Sequence, residues 1–95
     1  MGVSSKSERR VARHDVAAYH EEQLTVLVVR VGEALEGFRA GDLDANDVDR
    51  VLFQYSRASK ELWKFCNLGP VEIAADIIRR EHPTNWWERG APRRR

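Results

Sequence analysis

"GDLDANDV", residues 41–48, decides how this chain folds. Gly41 can take a positive φ at little cost, so it stops the helix before it. Asp44 is placed to start another. Its carboxylate can accept from the backbone amide of Asp47, and Asp47 at the third helical position suits the positive end of the new helix dipole. Leu43 before the cap and Val48 at the fourth position have the spacing of a hydrophobic staple. A stop and a restart this close together join two helices as an antiparallel hairpin.

Upstream, apolar residues recur in steps of three and four from about Asp15 to Ala40: Ala17, Leu24, Leu27, Val28, Val31, Ala34, Leu35 and Phe38, with His20 on the same stripe. That is the period of an amphipathic helix. Ser7 and Asp15 are both possible caps, so its start is open. Downstream, the second helix runs from about Ala45 to Asn67, with Val48, Val51, Leu52, Tyr55, Ala58, Ser59, Leu62, Phe65 and Cys66 on its stripe. The two match to within a turn. "NLGP" ends the second helix. A third is expected over about Pro70 to Glu81, with Pro70 in its first position and His82–Pro83 closing it. The remainder, "TNWWERGAPRRR", has no helical period, and no alternating run reads as a strand.

The expected organisation is a basic, flexible segment over 1–13, a three-helix domain over 14–82 and a Trp-containing basic tail over 83–95. The fold class is all-α: a long hairpin plus a shorter helix, dimerising into a bundle because so short a chain buries a modest core. Apolar residues make up 42% and charged residues 33%, which fits a globular helical chain. No apolar run approaches the ~20 residues of a membrane span, and the N-terminus lacks a secretory h-region. Gly2 follows the initiator Met, but Ser7 lies one place beyond the myristoylation pattern. A single cysteine fits the reducing cytoplasm. Thirteen of the sixteen basic residues are Arg, which points to a GC-rich bacterial genome. Residues 1–13 and 83–95 each carry +3, and 14–82 carry −5. An acidic body repels phosphate, so nucleic acid could be met only through the tails.

"ELWKFCN", residues 61–67, sets two aromatics beside the only cysteine. At 100° per residue Leu62 and Cys66 lie near the centre of the stripe, and Lys64 is about 160° from the thiol. Cys66 therefore reads as a small buried hydrophobe, since a reactive thiol needs exposure and a nearby cation. Trp63 is either an aromatic at the edge of the core or part of a subunit contact. With Phe38, Ala40, Gly41, Leu43, Asp44, Ala45, Asp49, Tyr55, Arg57, Ala58, Lys60 and Glu61 to Cys66, this stretch resembles a family of short, uncharacterised bacterial helical proteins. The resemblance covers about a third of the chain and implies membership without an activity or site residues.

Glu33 and Glu36, followed by Asp44, Asp47 and Asp49, are the carboxylates nearest to a metal pattern. All-α nucleotide pyrophosphohydrolases hold Mg²⁺ with an E-E-x-x-E element and a later E-x-x-D element, and oxygen ligands on facing helices suit that ion. Here Gly32 stands in for the first Glu, Asp44 is needed as a cap, and Glu33 and Glu36 face away from the apolar stripe. His14, His20 and His82 with Cys66 have no zinc spacing, and His20 reads as a hydrogen-bonded core histidine. Asp44, Asp47 and Asp49 at the start of the second helix disfavour a helix-turn-helix reader. No cofactor or metal is implied. Apolar residues off the main stripes carry more information: Tyr19, Val26 and Val29 on the first helix, Phe53 on the second, and Trp86 and Trp87 beyond the third. With Trp63 they form a candidate interaction surface, pointing to a small interaction or regulatory protein, a homodimer, rather than an enzyme.

Overall fold

The computed structural model describes residues 5–81 and 84–93. His82 and Pro83, Arg94 and Arg95, and Gly2 lie outside the described residues. Four helices follow in order: α1 (Lys6–Arg39), α2 (Ala45–Asn67), α3 (Val71–Arg80) and the single turn α4 (Trp86–Arg89). No strand occurs among the described residues.

The start of α1 lies within the segment read as flexible. Ser5 caps it: the Glu8 amide donates to Ser5 Oγ at 3.1 Å, and the Glu8 carboxylate accepts from the Ser5 amide at 2.8 Å. This reciprocal capping box satisfies two of the otherwise unpaired amides. At the hairpin the expected cap and the glycine stop are both present. Asp47 N donates to Asp44 Oδ1 at 2.8 Å and Asp44 N donates to Asp47 Oδ2 at 2.9 Å, so the third-position aspartate takes the part of a glutamate. Gly41 has φ +83°, and Leu43 folds back against Gly37.

Because α1 starts early, the two long helices are unequal. At ~1.5 Å per residue the 34 residues of α1 span ~51 Å and the 23 of α2 ~35 Å. The overhanging N-terminal part of α1 would stand bare. Gly69 (φ +103°) turns the chain, and α3 packs onto that overhang. Ala12 and Val16 meet Ala74 and Ala75 there, and Asp15 pairs with Arg79. Pro70 caps α3 instead of opening it. A second cluster sits at mid-hairpin: Leu27, Ala58, Leu62 and Trp86. Phe65 and Cys66 touch both. Alanines dominate the buried set, so the core is thin. The molecule measures 56 × 30 × 19 Å, with a radius of gyration of 16.6 Å against ~12 Å for a compact chain of this length. No helix among the described residues is long and apolar enough to cross a membrane.

Candidate interaction surface

The C-terminal segment reads as a tail without a place of its own, and here the structure corrects the sequence. Asn85 caps a single turn by accepting from the Glu88 amide at 3.2 Å. That turn drives Trp86 into the hairpin, where it is 5% exposed. Its indole Nε1 donates to Tyr19 Oη at 2.8 Å, and Phe65 packs against both rings. Burial raises the Tyr19 phenol above its ordinary pKa, opposed by the bond from Trp86. The next two anchors come from α2. Gln54 Nε2 donates to the Trp87 carbonyl at 2.8 Å, and Arg57 Nε to the Gly90 carbonyl at 2.6 Å. Arg30 lies over the Trp87 ring and Arg89 over the Trp86 ring, each 5.5 Å from the centroid. Residues 84–91 are thus a strap laid across one face of the hairpin. Tyr19, Trp86 and Trp87 are occupied within the chain.

The other members of the surface remain open: Val26, Val29, Phe53 and Trp63 are each more than half exposed. Sequence reasoning missed Gln54, Arg57 and Gly90. A signal for the strap does exist, since "NWWERG" carries an Asn cap and a closing Gly around one turn.

The strap also defines what is left uncovered. About 100° per residue puts Gln54 and Arg57 roughly 200° and 140° from Leu52, and Arg30 roughly 200° from Val28. On the side away from the strap, Val28, Leu35, Phe38, Leu52 and Trp63 are exposed together. Val28 and Leu35 are seven residues apart, and Leu52 and Trp63 eleven, so each pair shares a face. These residues, Trp63 apart, belong to the very stripes expected to form the core. Leu35, Phe38 and Leu52, with Ala45, Val48 and Asp49, line an almost wholly apolar groove of about 200 Å³ near the hairpin tip.

The polar candidates do not assemble. Glu33 and Glu36 are exposed on α1, with Glu36 paired to Arg39 at 2.9 Å, and Asp44 and Asp47 are engaged in the cap. Among the described residues no three His, Cys, Asp or Glu converge on a possible metal site. Cys66 is half-buried rather than fully buried, and burial pushes its thiol up to about 11. His20 is half-buried along a shallow cleft with Ala17, Cys66 and Val71; it makes no hydrogen bond among the described residues, contrary to its reading as a bonded core histidine. Arg57, Lys60, Arg89 and Arg93 gather beside the strap with Glu61 among them. Compared with protein-family models, curated proteins and solved structures, the chain shows no significant match.

Proposed function

We propose that this chain is a non-enzymatic interaction module that works as a homodimer through helix–helix contact. The observation that carries the reading is the uncovered hairpin face: Val28, Leu35, Phe38, Leu52 and Trp63 stand exposed on one side of a thin core. Monomers seldom leave contiguous apolar patches beyond a few hundred Å² in water, and larger ones mark contact sites. A single cysteine suits a reducing compartment such as the cytoplasm. The resemblance to short bacterial helical proteins brings no activity that competes with this reading. Light scattering tests it: the expected mass at micromolar concentration is twice the 11.0 kDa of the chain. Monomer at high micromolar concentration overturns it.

A further inference from the structure

Resting on the homodimer reading and making it specific, we infer that a second copy seats antiparallel along the exposed side of α2, the Trp63 of each copy entering the hairpin-tip groove of the other.

A knob and a hole lie on the same surface. Trp63, on α2, is 51% exposed, so about half of a large aromatic side chain stands in water. The groove between Leu35, Phe38, Val48 and Leu52 is apolar and about 200 Å³, a space suited to an aromatic ring. Asp49 is among the residues that line it. Asp49, Ser56 and Trp63 are spaced by seven residues, so they lie on one line along α2, drifting only ~20° per step. Asp49 and Trp63 are ~21 Å apart on that line, with Ser56 midway. A two-fold axis crossing α2 at Ser56, perpendicular to the helix, carries Trp63 of one copy onto the groove of the other and returns the same contact in reverse. This is the self-complementarity that an isologous interface demands. A partner of different sequence would need only the knob or only the hole, whereas a second copy uses both, twice.

Three further features agree. Ser56 and Ser59 are small, so two α2 helices can approach closely where they cross. A buried indole N–H needs an acceptor, and Asp49 is the one ionisable residue among those lining the groove. The area is also adequate. A face ~35 Å long and two helix diameters, ~20 Å, wide offers ~700 Å², near the ~800 Å² per partner of a stable interface. The strap lies on the far side of the hairpin and does not obstruct the pairing.

The full-length protein provides the test, with dissociation followed by analytical ultracentrifugation and helix content by circular dichroism. Trp63→Ala and Leu52→Asp should each weaken the dimer at least ~10-fold while leaving the helix signal intact. Glu33→Gln, exposed on α1 about 200° around the helix from Leu35, should not change it. In a Cys66→Ser background, Ser56→Cys should form a disulfide-linked dimer under mild oxidation, because the two-fold brings the residue against its own counterpart. If the dimer keeps its affinity in Trp63→Ala and Ser56→Cys fails to cross-link, this seating is wrong while the homodimer itself stands. If the unmodified protein is monomeric throughout, both are wrong.

Discussion

Trp86 and Gly90 show how much of this molecule rests on single positions. Trp86 fills the centre of the hairpin and satisfies its own N–H on Tyr19. Gly90 has φ −90°, which any residue adopts, so what excludes a side chain there is space. A Cβ would stand 2.6 Å from the Ala58 nitrogen and the Gln54 carbonyl oxygen, both backbone atoms of α2 that cannot yield. Gly90→Ala should therefore lift the strap and cost about 1–3 kcal/mol. Thermal unfolding checks this, since each kcal/mol moves Tm by ~4–8 °C in a chain this small. Cys66 gives a second expectation at this scale. With its thiol pushed to about 11, little thiolate is present near neutral pH, and burial restricts access. A thiol reagent should label the native protein roughly three hundredfold more slowly than an unperturbed thiol with pKa near ~8.5, and should label it quickly after denaturation. Fast native labelling would restore a redox role to this residue.

At the scale of elements, the legible parts of the fold were those written in local chemistry. Asp44 and Asp47 announce the start of α2, and the structure forms both hydrogen bonds of that cap. The stripes on α1 and α2 announce a hairpin. The start of α1 was expected at Ser7 or Asp15 and lies at neither: Ser5 is the cap, because Ser5 alone of the three has a glutamate three residues on, Glu8, to close the box. The apolar stripes also misled in one respect. Periodicity says which residues share a face, not whether a partner arrives to cover it, so Leu35, Phe38 and Leu52 read as core and are exposed. The strap escaped altogether because one turn is too short for periodicity, and its anchors, Gln54 and Arg57, lie 33 residues from the carbonyls they hold. The two caps carry a pH prediction. Bonds from the Ser5 and Asp44 backbone amides first, and neighbouring groups second, hold Glu8 and Asp47 below the usual carboxylate range. A depressed folded-state pKa gives stability that is present above the unfolded value and lost as pH falls through the folded one. Urea midpoints should therefore fall on acidification below about pH 4, with the slope reduced in Asp47→Asn. Asp44→Ala should cost ~0.5–2 kcal/mol at neutral pH by removing the cap acceptor.

For the whole molecule, closure depends on a segment near the end of the chain. The hairpin alone leaves Leu27, Ala58 and Leu62 open on the strap side, and Trp86 covers them. The opposite side is already bare at Val28, Leu52 and Trp63. Without the strap the middle of the hairpin would face water on both sides, with α3 covering the α1 overhang and the end of α2 at Phe65 and Cys66. Ending the chain after residue 83 removes the Trp86 side chain, whose loss alone costs ~3–5 kcal/mol in a core. It also removes the hydrogen bonds from Gln54 and Arg57 and the ring contact to Arg30. Small domains have total stabilities of only ~5–15 kcal/mol, so the truncated chain should melt tens of degrees lower or fail to unfold cooperatively. If the dimer forms through the opposite face, a mild version of the same lesion separates folding from association. Trp86→Phe keeps an aromatic ring but loses the N–H to Tyr19, so it should lower Tm while the folded protein keeps its dimer affinity. A Trp86→Phe protein that stays fully folded yet dissociates into monomers would show instead that the strap side of the hairpin takes part in the contact between copies.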